Sequence, residues 1–434
     1  MWKPYLLSAI FFLHFGCQTE KAPSRPNIVL IMADDLGMEV LNCYGGTSYQ
    51  TPHLDRLAAE GLLFEHCYST PLCTPSRVQI MTGKYNYRNY TGFGMLKPGE
   101  KTFGHLLKEA GYKTCIAGKW QLYGNPHQRK LFAPEVGTHP KDAGFDEYCL
   151  WQIDNGPWEA RYKDPRIATT DTEPQYYPGA YGPDKYLEHI ESFIDQNQDN
   201  NFFVYYPMCL VHDPFQPTPR DDGYWAPDFN LKINDTTHFA SMVVYMDSLV
   251  GKLVKTLDRL KLRENTLVIF TGDNGTDRKV VSKWRGREVA GRKGYPVKAG
   301  THVPLIASWK GQVPAGVKSD RLIDFTDFVP TLLEAANYRP PTGFTTDGVS
   351  FFSHLKEEEG PERDWVFCHY APRWGKFEPA RFVQNRSWKL YDDGKLYNIE
   401  TDPDEEKPVS REGLGAETLE LLTQFWEVLE QHRK

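Results

Sequence analysis

The sequence predicts an α/β fold: a large, mainly parallel sheet flanked by helices, with a smaller C-terminal antiparallel sheet plus helix. Three observations lead there. The short apolar runs Asn27–Met32 and Thr266–Phe270 have the length and residue content of strands buried on both faces. Such runs alternate with segments of helical periodicity, the pattern of a parallel sheet covered on both sides. Beyond about Val349 the alternation gives way to short strand-like runs punctuated by turn residues. The expected division is a leader over residues 1–17, a larger α/β unit over 25–348 and a smaller α+β unit over 349–434.

In chain order, Asn27–Met32 is the first strand and breaks off at Ala33-Asp34-Asp35-Leu36-Gly37. Thr51 to Leu63 reads as a helix, with Leu54, Leu57, Ala58 and Leu62 along one side. Leu106 to Gly111 is a helix end that feeds a strand at Lys113–Ala117. Asn201–Tyr206 is another strand, followed by a loop rich in proline. Thr237–Leu260 is the clearest amphipathic helix, with Met242, Tyr245, Met246, Leu249, Leu253 and Leu257 at helical spacing. Thr266–Phe270 follows and ends in Thr271-Gly272-Asp273-Asn274-Gly275. In the C-terminal part, Val366–Tyr370, Ala380–Val383, Trp388–Tyr391 and Lys395–Ile399 are strand candidates, with Asp392-Asp393-Gly394 as a turn. A last helix spans about Ala416 to His432.

Composition narrows the function classes. At roughly 100–200 residues per domain, 434 residues make two or three units, or one large unit with an appendage. Lys+Arg 50 against Asp+Glu 57 leaves a net charge of −7, so no basic excess favours a nucleic-acid backbone. An aromatic content of 14% suits stacking on sugar faces and equally suits a large core. Met1–Tyr5 carries one lysine, and Leu6–Phe15 is apolar apart from Ser8 and His14. That stretch falls well short of the roughly 20 residues a spanning helix needs, and a polar segment follows, as in a signal peptide. Gly16-Cys17 resembles a lipoprotein cleavage site, so two leaders stand open: one whose Cys17 is lipidated, and a plain secretory one. Both imply export, to the periplasm or the cell surface. The cysteines are scattered without metal-type pairs. An exported chain could pair some of them, Cys43 with Cys67 for instance; the other reading is burial as small apolar side chains.

The acids at the strand ends carry chemistry. Asp34 and Asp35 repel one another in a dry site unless something compensates. Asp273 and Asn274, at the end of a second buried strand, would reach the same sheet edge. Three carboxylates and an amide oxygen suit a hard divalent cation, calcium before zinc. Taken singly, each cluster reads as a helix cap; their recurrence after two strands favours the metal.

Cys73-Thr74-Pro75-Ser76-Arg77, with Met81-Thr82-Gly83-Lys84 beyond it, resembles the signature of the type I, formylglycine-dependent sulfatases of the alkaline phosphatase superfamily, C-x-P-S-R then a T-G-R-like element. The resemblance runs along nearly the whole mature chain. It takes in Asp34-Asp35-Leu36-Gly37, Thr51-Pro52-His53-Leu54-Asp55-Arg56-Leu57, Gly118-Lys119-Trp120, Gly272-Asp273-Asn274-Gly275, Gly291-Arg292-Lys293-Gly294 and Val303-Pro304-Leu305-Ile306. Lys84 stands where arginine is usual.

That resemblance implies an alkaline-phosphatase-like fold and oxidation of Cys73 to formylglycine by a maturation enzyme. The hydrated aldehyde offers two hydroxyls on one carbon, one to attack sulfur and one to release sulfate. It also implies one calcium ion held by Asp34, Asp35, Asp273 and Asn274, completed by residue 73. Arg77 would help keep the nucleophile ionised, Lys119 and Lys293 would hold the sulfate, with Lys293 able to protonate the leaving group, and His212 would serve the leaving group. Gln121 replaces the histidine of G-K-W-H-L-G and cannot accept a proton near neutral pH. His302 replaces the arginine of R-V-P. Candidate substrate contacts are Gln121, His302, Trp284 and Arg373, an aromatic beside a cation being suited to a sulfated or uronic sugar. The expected activity is removal of sulfate from a sulfated oligo- or polysaccharide. A phosphonate or phosphate ester hydrolase of the same superfamily, and a weakly active sulfate-ester-binding relative, remain open.

Overall fold

The computed structural model describes residues 25–124, 130–131, 136–153, 161–224 and 235–433. The expected leader and Cys17 lie outside them. The strands are β1 (Asn27–Ala33), β2 (Leu62–Tyr68), β3 (Lys113–Lys119), β4 (Glu147–Trp151), β5 (Arg166–Thr169), β6 (Gln175–Tyr176), β7 (Phe202–Pro207), β8 (Thr266–Gly272), β9 (Val281–Trp284), β10 (Arg287–Ala290), β11 (His302–Ser308), β12 (Val317–Asp324), β13 (Val366–Tyr370), β14 (Ala380–Gln384), β15 (Trp388–Tyr391) and β16 (Leu396–Asn398). One ten-stranded sheet runs β12-β2-β11-β8-β1-β7-β3-β4-β5-β6.

The five strands β8-β1-β7-β3-β4 are mutually parallel, so their carboxyl ends share one edge. The sheet is mainly parallel, as expected, with antiparallel members on its flanks: β11 runs antiparallel between β2 and β8, and β5 antiparallel to β4. Alternation along β1 explains the two layers of core. Val29 and Ile31 point to one side, beneath the helices Gly182–Gln196 and Phe239–Arg259. Ile28, Leu30 and Met32 point to the other, beneath Cys73–Thr82, Phe103–Glu109 and Phe328–Ala335. A strand with both faces covered has no need of polar alternation, which is why these runs are continuously apolar.

The helix expected over Thr51–Leu63 stops at Ala59, and Leu62 opens β2 instead. Gly61 makes the change of direction: a Cβ there would lie 2.4 Å from the Ala307 carbonyl oxygen. Of the two readings of the cysteines, the Cys43–Cys67 pairing does not form: both are free. Cys67 belongs to one core layer while Cys43 packs against the other, so the sheet stands between them.

Beside the two-stranded β10-β9 ribbon, a four-stranded sheet, β13-β14-β15-β16, is antiparallel throughout. One face packs Phe367, Val383, Leu390 and Leu396 against the helix Ala416–Gln431 through Leu422, Phe425 and Leu429. The other places Cys368, Tyr370 and Phe382 in a cluster with Leu72, Cys73 and Phe93. The smaller sheet therefore backs directly onto the Cys73 region. Among the described residues no helix is long and apolar enough to cross a membrane.

Candidate active site

Parallel pairing of β8, β1, β7 and β3 assembles the site, because each strand delivers a polar group just past its carboxyl end. Ala33 pairs with Gly272, which sets Asp34-Asp35 beside Asp273-Asn274. β3 ends in Lys119. Gly118 before it has φ +128°, and a Cβ there would lie 2.0 Å from the Pro207 carbonyl oxygen, so only glycine lets β3 approach β7 this closely. The segment after β7 is tied to the same edge, since Asp34 N donates to Leu210 O and Val211 N to Asp34 O, each at 2.8 Å. His212 follows.

Cys73 opens the helix Cys73–Thr82, and Arg77 lies one turn on, on the same side. All ten residues of that helix are buried. Ligand atoms of Asp34, Cys73 and Asp273 lie within 4.8 Å of one another. Arg77 Nη2 donates to Asp273 Oδ2 at 2.9 Å and stands 3.6 Å from Asp34 Oδ1. Lys119 Nζ donates to Asp34 Oδ2 at 2.7 Å, and Lys293 Nζ to Asp35 Oδ2 at 2.5 Å. Asn274 Nδ2 donates to Asp35 Oδ1 at 2.9 Å. The structure thus brings together Asp34, Asp35, Cys73, Arg77, Lys119, His212, Asp273, Asn274 and Lys293.

Electrostatics follow from burial. Burial pushes the Asp34 carboxyl up, but Lys119, His212, Arg77 and Lys293 together reverse this and hold it below the usual carboxylate range. Burial and the Asp34 charge push Asp273 up, against Arg77 and Lys119. Three carboxylates, Asp34, Asp35 and Asp273, thus face three cations, Arg77, Lys119 and Lys293, and burial still disfavours the charge on Asp273. Asp34 Oδ1 and Asn274 Oδ1 are also buried without a hydrogen bond among the described residues, at a cost of about 1–3 kcal/mol for each such group. A hard cation would satisfy both, so this donor set fits calcium. Burial raises the Cys73 thiol ahead of the opposing pull of Lys119 and Lys293, so the encoded side chain is a protonated, weak nucleophile. Burial alone would lower Lys293, but Asp35, Cys73 and Asp34 raise it and keep it protonated.

His212 sits between Lys293 and two groups that sequence reading missed, Asp213 and Arg161. Its Nδ1 contacts Asp213 O at 2.6 Å and Asp213 Oδ1 at 2.9 Å, and its Nε2 lies 2.8 Å from Lys293 Nζ. Arg161 Nη2 donates to Asp213 O at 2.7 Å, and its guanidinium lies 4.7 Å from the Trp151 ring centre. Asp213 also accepts from Lys279 Nζ at 2.9 Å. Val211-His212-Asp213-Pro214 contained Asp213 in plain view; Arg161, followed by Tyr162 and Lys163, carried no sequence signal.

The four candidate substrate contacts separate. Gln121 lines the same cleft, of about 360 Å³, as Cys73, His212 and Lys293; its backbone has φ +52° and its Oε1 is buried without a hydrogen bond among the described residues. Trp284 and His302 do not line it. They face another cavity, of about 210 Å³. Trp284 Nε1 donates to Tyr44 O at 2.9 Å, and the His302 ring stacks on Tyr68 at 4.8 Å with Nε2 2.7 Å from Glu65 O, which ties β11 to β2. Arg373 Nη1 donates to Thr91 O at 2.6 Å, and its neighbour Trp374 faces the cleft.

Residues 26–338 match the family model described as Sulfatase, and residues 293–434 match that described as N-sulphoglucosamine sulphohydrolase, C-terminal. Over 96% of this chain and 88% of the relative, the sequence is 28% identical to the N-acetylgalactosamine-6-sulfatase of Canis lupus familiaris. It is 26% identical to the N-acetylgalactosamine-6-O-sulfatase of Bacteroides thetaiotaomicron, over 89% of this chain and 90% of that one. The crystal structure of Ps i-CgsB in complex with k-i-k-neocarrahexaose is similar with a TM-score of 0.73 at 26% identity, covering 94% of this chain and 92% of that one. With the first family model spanning well over half of its length, the chain belongs to the sulfatase family and is a sulfuric ester hydrolase.

Proposed function

We propose that this chain removes sulfate from a sulfated carbohydrate through a formylglycine made from Cys73 by a maturation enzyme, assisted by one calcium ion. The observation that carries the reading is the meeting of Asp34, Asp273 and Cys73 ligand atoms within 4.8 Å, ringed by Arg77, Lys119 and Lys293. Asp34, Asp35, Asp273 and Asn274 would hold the ion together with position 73. When present, calcium and the hydrated aldehyde supply charge neutralisation and a nucleophile that can be regenerated, neither of which a buried thiol offers.

The chain's own groups do the rest. Lys119 and Lys293 present ammonium groups to the sulfate oxygens, where charge develops as the ester bond breaks. Arg77, held by Asp273, keeps positive charge against the nucleophile's position. Lys293, kept protonated by Asp35, gives its proton to the departing alkoxide. His212 receives the Lys293 hydrogen bond at Nε2 and serves the leaving group beside it. Gln121 orients polar groups in the cleft by hydrogen bonding without taking their protons.

The carbohydrate reading is supported by the sugar sulfates named for the two relatives and by the aromatic wall of Phe93, Trp374 and Phe377. Residues 25–348 form the catalytic unit in this reading and 349–434 close one wall. Export rests on the leader, with Cys17 as the residue a lipid would occupy. Expression with a maturation enzyme, followed by release assays on matched sulfate and phosphate esters of the same sugars, tests the reading. Sulfate release well above phosphate release supports it; phosphate release predominating overturns it.

A further inference from the structure

Past the catalytic cluster, the cleft ends in a cation with no carboxylate. Among the described residues Arg278 makes no ion pair within 4.0 Å. Its guanidinium rests 5.4 Å from the Phe377 ring centre and 5.7 Å from that of Tyr295, and its hydrogen bond, to Tyr295 Oη, is 3.4 Å long. The other cations of the cleft and its floor are engaged: Arg77 by Asp273, Lys119 by Asp34, Lys293 by Asp35 and Lys279 by Asp213. Asp277, beside Arg278, has its Oδ1 occupied by the Lys279 amide.

Burial sets the order along the cleft. Cys73 is buried at its floor, Trp374 and Phe377 are half-buried and Arg278 is exposed. Trp374 stacks on Phe93 at 4.6 Å, nearly parallel, which gives the wall a firm aromatic face. A sulfate ester seated at Cys73 would lay its sugar ring along that wall, with the far side of the ring toward Arg278. The planar, permanently charged guanidinium fork matches a carboxylate or a sulfate in two-point contact.

We propose that the substrate carries a second anionic group, a ring carboxylate or a further sulfate, and that Arg278 reads it while Trp374 and Phe377 pack against the sugar between. This deepens the carbohydrate reading above and rests on it. The cost of losing such a charge-assisted contact corresponds to about tenfold or more in affinity.

The test measures calorimetric binding to the full chain produced without a maturation enzyme, so that nothing is turned over. The probes are a sulfated hexosamine joined to glucuronate, the same disaccharide with its carboxyl reduced to an alcohol, a disulfated hexosamine and its monosulfated form. The expected result is about tenfold tighter binding of a doubly anionic probe over its singly anionic partner. That preference falls to within about twofold in Arg278→Ala and survives in part in Arg278→Lys. A preference confined to the first pair assigns the group as a carboxylate, and one confined to the second assigns it as sulfate. Equal binding of both members of each pair, or a preference that persists in Arg278→Ala, overturns the proposal. Failure of the wider reading shows separately, as absence of sulfate release after maturation while the Arg278-dependent preference remains.

Discussion

Lys293 and His212 meet through Nζ and Nε2 at 2.8 Å, with Asp213 on the far side of the imidazole. These partners select a tautomer. Asp213 offers only acceptors to Nδ1, so Nδ1–H donates to it and Nε2 is left to accept from Lys293. A proton donor held by Asp35 and steadied by His212 is what a poor leaving group, such as a sugar alkoxide, requires.

Lys293→Ala should therefore lower kcat by about 10²–10⁴ on a sugar sulfate. The loss should be smaller on 4-nitrophenyl sulfate, whose phenolate leaves without a proton, so that only the contact of Lys293 with the sulfate oxygens is lost. Steady-state rates on the two esters check this, and an equal loss on both would remove the proton-donor role.

Asp213→Asn removes the charge that fixes the His212 tautomer and that pairs with Lys279. Asp213 itself is held below the usual carboxylate range: burial raises it, but His212 and Lys279 lower it further. A fall in kcat of about 10–100-fold with little change in KM is expected, together with an altered pH–rate profile. A purely structural role would leave that profile in place.

Much of this site was legible because the chemistry sits at strand ends. β1 and β8 are apolar throughout, so their abrupt acidic termini were visible, and their adjacency makes the predicted sheet edge real. The helix bearing Cys73 was not legible as a helix, since all ten of its residues are buried and it shows no apolar stripe. β11 was likewise hidden, because an antiparallel strand inserted beside parallel ones leaves no mark in local pattern. Trp284 and His302, candidate substrate contacts for their chemical type, bond to Tyr44 and Glu65 and line a cavity separate from the Cys73 cleft, a placement that residue type alone does not encode.

Gln121 leaves the cleft without a base at the place where the family has histidine. Release of the alcohol should outpace release of sulfate, giving a burst in rapid-mixing assays. Gln121→His, at a backbone conformation histidine tolerates, should shorten or abolish the burst. Sulfate and alcohol appearing together in the native enzyme would place the base elsewhere.

Calcium should act on stability as well as rate. Adding it at about 100 times its dissociation constant to chelator-treated chain is expected to stabilise the fold by ~2.7 kcal/mol, seen as a rise in the thermal midpoint. Asp273→Ala should abolish the rise. A midpoint indifferent to calcium in the native chain would contradict the donor set proposed.

His66 and His302 predict an acid weakness away from the site. Burial, then the Lys298 charge, holds His66 down to about 4, and the same two causes hold His302 well below its ordinary value. Unfolded histidines take up protons near 6.5. Below that value the unfolded chain binds more protons than the folded one, so stability falls as pH falls from about 6.5 toward 4. Denaturant midpoints across this range should show the decline, and His302→Phe, which keeps an aromatic ring against Tyr68, should flatten it.

The central claim is that residue 73 works as an aldehyde inside the cation-bearing cluster. Mass spectrometry of the peptide spanning Cys73, taken from samples matured to different extents, tests it most directly when read beside sulfate release from a sugar sulfate. The account predicts that release rises in proportion to the aldehyde fraction and vanishes in Cys73→Ala. Release from a sample whose residue 73 is entirely thiol, or none from a fully converted sample on any sulfate ester, would contradict it.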